Sequence, residues 1–496
     1  MRSEISLTFW LLVTLLPWSP FIAVTAQIPP TPSLGEVDAS LACRFLQQNL
    51  SHRIVTLPGH PQYTNATHSA WNVFNTEFMP ACIVFPRDAS HVQAAMKTIY
   101  EHRVRYAVQA GGHSAMKGWN SVQNGILIMF TFMNNMSYDP KRDTITVLPG
   151  VRWGDAADGL ERFGVAPVGG RVSGVGTGLL LGDGRLVTAT VNNEYRDLFK
   201  ALKGGANRFG VVTRYEVTAI HTGRRQDKWW FGGMISYSDS ATEGFLRATA
   251  NFVRENRDSN AAMLTSVANI VSPETQNVTS LPFTFLFYDG GKDTVYSAEK
   301  TERLFNASFS QFLSLPRLSS SLTPLSYIDV AHMLDEGPAQ LGQGQLFGAS
   351  AFASDDPIQR YLEAVQFQRR ITEQFKDILN TTLVAFTPVL DEQIYAGRKR
   401  GGNAFDPPLG GYNAVQYQVS VNPGATSREL ALLNNARRQW FRNFPPTPGL
   451  PLYINECDKE QEVFKTYGQY EFLKRIYAKY DPTSFNVKFS DGPSGL

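Results

Sequence analysis

Two glycine-rich stretches constrain this chain more than anything else in it: residues 109–114, Gln-Ala-Gly-Gly-His-Ser, and residues 201–213, Ala-Leu-Lys-Gly-Gly-Ala-Asn-Arg-Phe-Gly-Val-Val-Thr. Each falls where a strand-like run ends or begins. Glycine has no Cβ, so backbone at such points can come within hydrogen-bonding distance of a flat, phosphorylated ligand. The first stretch also ends on an imidazole, His113, which is nucleophilic when neutral.

The surrounding pattern alternates between the two regular structures. Residues 82–85 are a strand stopped by Pro86, after which Asp88 or Ser90 caps a helix with Val92, Ala95, Met96 and Ile99 on one face. Strands are expected at 106–109, 125–130, 144–148, 185–190 and 211–217, with helices at 153–163 and 195–202. Past residue 222 the character shifts to strands at 229–237, 283–288, 382–388 and 411–421 separated by amphipathic helices, one of them over 358–380. A final helix carries Phe472, Leu473, Ile476 and Tyr477 on one face and ends at Asp481, because Pro482 disfavours helical geometry there. A chain of 496 residues exceeds one ordinary core, so two or three domains are expected.

Four glycine blocks follow one another in order: Gly111-Gly112-His113-Ser114 with Gly118; Gly150-Val151-Arg152-Trp153-Gly154; Gly169-Gly170-Arg171-Val172-Ser173-Gly174-Val175-Gly176-Thr177-Gly178; and Lys203-Gly204-Gly205 with Asn207, Phe209 and Gly210. This set resembles the FAD-binding domain of the flavoproteins typified by berberine bridge enzyme and vanillyl-alcohol oxidase, in particular their secreted fungal members. The resemblance implies an α+β fold with a two-subdomain FAD-binding domain of the PCMH type over residues 76–222. It also implies a substrate domain over 223–449 with an antiparallel sheet backed by helices, and a segment 450–496 that returns to the FAD domain. By the same resemblance His113 bonds covalently to the flavin through its 8α carbon. Ser114, Gly118 and the backbone of Gly111 and Gly112 lie along the cofactor; Ser173, Gly174, Val175 and Gly176 face the pyrophosphate; Gly210 and Val211 sit against the adenine side. Relatives with a second covalent link use a cysteine in the third block, where this chain carries Arg171 or Val172, so a singly attached FAD is expected. A Rossmann site is disfavoured, since Gly174 to Gly178 is spaced Gly-X-Gly-X-Gly without a clear strand before it or helix after it.

The implied activity is hydride transfer from a small organic substrate (an alcohol, an amine or an intermediate of secondary metabolism) to flavin N5, with reoxidation by O2. A dehydrogenase using another acceptor has the same signature. Family bases come from the substrate sheet or the C-terminal segment, which makes Tyr412, Gln416, Tyr417, Tyr453 and Asn455 candidates by position. The chain departs from the family pattern in one place. Leu179-Leu180-Leu181-Gly182 runs straight into Asp183-Gly184-Arg185, where relatives carry about one further strand–helix–strand unit. Either an exon has been skipped, which the matching sequence on both sides favours, or the fold is truncated into a secreted glycoprotein without catalysis.

Residues 1–26 have the form of a secretory signal: Arg2, an apolar run over 7–16, and the small residues Val24-Thr25-Ala26 before a cut. Six Asn-X-Ser/Thr sequons, at Asn49, Asn65, Asn135, Asn277, Asn306 and Asn380, agree with export and are expected on surface loops. A net charge of +2 gives no support for nucleic acid or a membrane surface as partner. Of three cysteines one must stay unpaired in an oxidising compartment; the resemblance implies a Cys43–Cys82 bridge, leaving Cys457 as a buried thiol. No metal site is expected, because no closely spaced Cys/His set exists.

Overall fold

The computed structural model describes residues 34–176, 185–291, 297–335 and 342–496. The proposed leader, and the junction after Gly182 with Thr177 and Gly178, lie outside the described residues. The fold is α+β.

The first glycine loop grows out of a four-stranded sheet ordered Val55–Thr56, Cys82–Val84, Ile126–Met129, Tyr106–Gln109, the last three parallel. Ile126–Met129 is apolar at every position because both faces of the sheet are covered, as parallel strands require. The helices Leu34–Leu50 and Ala89–His102 pack on one face, and Tyr63, Ala66, Phe85 and Val122 on the other. Asp88 caps the second helix, its Oδ1 accepting from the backbone N–H groups of Ser90 (2.8 Å) and His91 (3.2 Å). The expected apolar face, Val92, Ala95, Met96 and Ile99, is buried against the sheet.

A smaller antiparallel sheet, Met136–Asp139, Thr144–Val147 and Tyr215–Thr218, closes over the helix Trp153–Leu160. Two expectations fail here. In the 211–217 run Val211 makes only a single bridge and the strand begins at Tyr215, and 185–190 forms no strand. In the second case the Asn193 side chain takes the place of a ladder, donating to Thr188 O (2.5 Å) and accepting from Thr190 N–H (3.1 Å).

The rest of the chain builds an eight-stranded antiparallel sheet in the order Arg317–Ser320, Trp230–Tyr237, Val278–Asp289, Ala261–Val271, Leu379–Val389, Tyr412–Val421, Gly344–Ala353, with Thr323–Leu325 also paired to Trp230–Tyr237. Helices Thr242–Glu255, Ile358–Gln374 and Ser427–Asn443 bury their apolar faces on one side of it, around Tyr361, Phe386, Tyr417 and Trp440. The helix expected to reach Asn380 stops at Gln374, because Leu379 and Asn380 already belong to the next strand.

The C-terminal segment docks back on the first sheet. Phe485 lies parallel to Tyr106 at 6.2 Å, and the Tyr106 hydroxyl donates to Asn486 Oδ1 at 2.7 Å. Arg208, almost fully buried, donates to the carbonyls of Asn486 (3.0 Å), Ser490 (2.8 Å) and Pro493 (3.0 Å). Helix Tyr470–Tyr480 ends before Pro482 as expected, its Leu473, Ile476 and Tyr477 buried. Of the sequon asparagines, Asn49, Asn65, Asn135, Asn277 and Asn306 are exposed, although Asn49, Asn65 and Asn306 sit on helices; Asn380 is half-buried in a strand.

Cys43 and Cys82 are bridged, tying helix Leu34–Leu50 to the first sheet across a separation of 39 residues. In the chain-entropy picture a loop of this length contributes about 3–4 kcal/mol. The double substitution Cys43→Ser/Cys82→Ser is therefore expected to lower the unfolding free energy by about that amount in a denaturant titration; an unchanged midpoint would contradict it.

Candidate cofactor-binding site

The strand Tyr106–Gln109 runs directly into the first glycine loop, which turns at Gly112 with φ +77°. Gly111 meets the third glycine block backbone to backbone: a Cβ there would lie 2.4 Å from the amide nitrogen of Gly176. The third block is in turn pinned over the start of helix Trp153–Leu160. Trp153 N–H donates to Val175 O and Gly154 N–H to Ser173 O, both at 3.0 Å, and Arg152 Nη1 donates to Gly174 O at 2.6 Å. Arg152 and the glycine blocks are thereby one rigid unit.

A signal that sequence reasoning missed holds the first loop from the other side. Asn72 and Asn75 are fully buried. Asn72 Nδ2 donates to Ala115 O (2.8 Å); Asn75 Nδ2 donates to Ser114 O (3.1 Å) and Met116 O (3.3 Å), and its Oδ1 accepts from Gly118 N–H (2.8 Å). Asn72 also exchanges both amide bonds with Gln345 of the edge strand Gly344–Ala353, pairing with it as a neighbouring strand would. Both asparagines fall inside the short run Trp71-Asn72-Val73-Phe74-Asn75, which carries no motif that marks them as a clamp.

Three cavities open around loop 110–114. One of about 560 Å³ is lined by His68, Trp71, His113, Arg152, Ser173 and Gly174. Another of about 500 Å³ is lined by Ser69, Gln109, Gly111, Gly150 and Arg152. The third, about 180 Å³, is lined by Ala110, Ser114, Trp119, Asn120, Asn207 and Asn455. In this last cavity two lining residues, Asn120 and Asn207, carry buried side-chain oxygens without a hydrogen-bond partner, a costly state that ligand donors would relieve. A glycine cradle, an arginine and orphaned amides around cavities that share Ala110, Gly111 and Arg152 as walls fit a long cofactor with a flat ring system and a pyrophosphate.

The sequence candidates divide. His113, Ser114, Ser173, Gly174 and Asn455 line these cavities, and Gly111 and Gly176 form the contact between the loops. Gly118 is held by Asn75 and abuts Asp491; Gly210 has φ +127°, while Val211 is buried in the first core. Tyr417 lies on the far side of its strand in the helix-backed core, 4.8 Å from Trp440. Tyr412 is enclosed by Ala351, Ala414 and Leu450, and half-buried Gln416 shares its face. Burial pushes the phenols of Tyr412 and Tyr417 well above the usual tyrosine value, so neither is a ready proton acceptor. Tyr453 stays beside Asn455, whose Nδ2 donates to its hydroxyl at 3.2 Å; burial first, then Glu456, raises its pKa.

Arg171, noted in the sequence only as standing where others have cysteine, joins three parts of the fold. Its Nη2 donates to Glu456 of the C-terminal segment (2.7 Å) and its Nη1 to Thr387 Oγ1 of the large sheet (2.6 Å). Glu456 is almost fully buried with Oε2 unpartnered, and burial raises its pKa against the opposing Arg171 charge.

With this geometry in place, comparison gives a consistent picture. Residues 80–185 match the family model described as an FAD binding domain. The chain is 25% identical to an FAD-linked oxidoreductase of Arthroderma benhamiae, across 90% of this chain and 93% of that protein. It is 29% identical to the FAD-dependent monooxygenase macF of Penicillium terrestre, across 92% and 89%. In fold it is similar to berberine bridge enzyme from Eschscholzia californica, with a TM-score of 0.70 at 16% identity across 92% of this chain and 99% of that one. It is also similar to 6-hydroxy-D-nicotine oxidase from Arthrobacter nicotinovorans, with a TM-score of 0.67 at 18% identity across 88% and 96%. The chain is an FAD-dependent oxidoreductase built on the PCMH-type FAD-binding fold. Over nearly its whole length it is similar to fungal FAD-linked oxidoreductases and FAD-dependent monooxygenases.

Two outcomes are expected. Asn75→Ala leaves the Gly118 N–H and two carbonyls of the loop unmet, which is expected to cost about 2–3 kcal/mol and to lower FAD retention on gel filtration. The second concerns His332, placed between Asp335 (Nδ1, 2.8 Å) and Asp158 (Nε2, 3.3 Å), the latter also 3.9 Å from Arg225. The Asp335 hydrogen bond first, and the two carboxylate charges next, raise its pKa. Its stabilisation is therefore complete below the ordinary imidazole value and lost as pH rises through the raised one. Melting curves of His332→Ala are expected to show a deficit of roughly 1 kcal/mol or less at about pH 5.5 that disappears by about pH 9.

Proposed function

We propose that the protein is a secreted FAD-linked oxidase acting on a small organic substrate, with the cofactor attached covalently through His113 alone. The observation that carries this is the position of His113 on the wall of a cavity of about 560 Å³, beside the contact between the first and third glycine blocks. When bound, FAD supplies hydride acceptance at N5 and return of the electron pair to O2 as hydrogen peroxide.

The chain's own residues do the rest. The glycine loops let backbone N–H groups reach the pyrophosphate, and Arg152 adds positive charge beside them. Asn120, Asn207 and Asn455 offer amides to the ring or ribityl portion. The C-terminal segment brings Tyr453 and Asn455 close to Glu456, which is paired with Arg171, where they would bind and orient the substrate; burial raises the Tyr453 phenol as it does those of Tyr412 and Tyr417, so none of the three is assigned the proton. Export is supported by the leader-like residues 1–26, five exposed sequon asparagines and a disulfide, which persists in oxidising compartments.

A second reading, insertion of one oxygen atom of O2 into the substrate, is favoured by the monooxygenase name of the Penicillium terrestre relative. Purified protein is expected to be yellow, to keep its flavin through acid precipitation, and to lose that property in His113→Ala. Peroxide formed in equal amount to product supports the oxidase; label from ¹⁸O2 appearing in product supports the monooxygenase.

A further inference from the structure

The His113 imidazole lies flat against the indole of Trp71, with ring centroids 4.1 Å apart and planes 14° from parallel. Both rings line the same cavity of about 560 Å³. Trp71 is itself fixed from three directions. Its backbone N–H donates to Gly112 O at 3.1 Å, so its main chain is anchored to the residue just before the imidazole. Phe347 of the large sheet meets its ring edge-on at 5.9 Å and 68°. The next residue, Asn72, is bonded both to Ala115 of the same loop and to Gln345 of the edge strand. The main chain on both sides of the indole is thus tied to the first glycine loop and the large sheet, and the ring itself lies between His113 and Phe347.

We propose that Trp71 is a positioning residue for covalent flavin attachment: it covers one face of the imidazole and fixes the ring's plane, so that a ring nitrogen meets the flavin methyl edge in one orientation. The proposal rests on the reading of His113 as the attachment residue. In the linking step an N–C bond forms between an imidazole nitrogen and the 8α carbon in place of one N–H and one C–H. The two electrons and two protons released pass through the flavin to dioxygen, which leaves as hydrogen peroxide. Bond formation of this kind is steeply sensitive to orientation, and the stacked indole bears on the plane in which the imidazole lies.

The test is the rate at which acid-stable flavin accumulates when full-length protein, expressed under riboflavin starvation, is mixed with FAD in air. Trp71→Phe and Trp71→Tyr keep a flat ring and are expected to stay within about twofold of wild type, whereas Trp71→Leu and Trp71→Met are expected to slow attachment roughly two- to tenfold. Total bound FAD and the melting temperature should not change across the four, readouts that a merely structural role for the indole would move. If Trp71→Leu fails to fold, Trp71→Met carries the comparison. Attachment by the Leu or Met variant at the wild-type rate, or a ranking that follows side-chain volume rather than flatness, overturns the proposal alone. Acid-stable flavin persisting in His113→Ala, or absent from wild type, overturns the attachment reading and the proposal with it.

Discussion

Gly111 and Gly176 touch through their backbones, and the geometry of the site follows from that contact. A Cβ on either would come within 2.4 Å of main-chain atoms of the other. Any side chain would therefore push the first and third glycine blocks apart, and everything bonded to them would follow. The third block carries Arg152 and the start of helix Trp153–Leu160 with it; the first carries His113. The missing Cβ here serves close approach between two loops, which is why the glycines cluster where the sheets end rather than being scattered among turns.

Around that contact the parts of the fold are joined by polar groups, all but Arg171 and Thr387 of them buried. Each sheet has its own apolar core. The connections between them are the amides of Asn72 and Asn75, the guanidinium of Arg208 reaching three carbonyls, and the Arg171–Glu456–Thr387 junction. Such groups are directional and costly to leave unmet, so they fix the relative placement of the sheets more sharply than apolar packing would. A cofactor that spans both halves needs that kind of registry.

The legible part of the sequence was the part written in strong local signals. A branched apolar run identified Ile126–Met129, the run into Gly111-Gly112 identified Tyr106–Gln109, and the Asp88 cap with its apolar face located the helix Ala89–His102. Gly344–Ala353 escaped because Gly, Ala and Ser make up most of it, and Ala261–Val271 because Ala, Ser and Asn interrupt its apolar residues; their strand character comes from neighbours on both sides or from an Asn72 amide at the edge. In the site, Gly-Gly-His could be read because glycine and histidine are informative alone. Trp71, Asn72 and Asn75 could not, since an indole or an amide takes its role from the tertiary partner it meets. Tyr412 and Tyr417 were drawn from a strand whose period shows alternation but not which face is covered, and both proved to lie inside apolar cores.

The return of the C-terminal segment has a consequence for the order of assembly. Phe485 completes the core of the first sheet, and Asn486 receives the Tyr106 hydroxyl and donates its side-chain amide to Arg208 O. Strands made early in synthesis thus wait for a partner 380 residues further on, with the whole large sheet emerging between them. The first sheet leaves the ribosome with an open flank, which closes only once the large sheet has been made. Capture of the dinucleotide is on this account a late event, performed by a chain whose first sheet has already received Phe485 and Asn486.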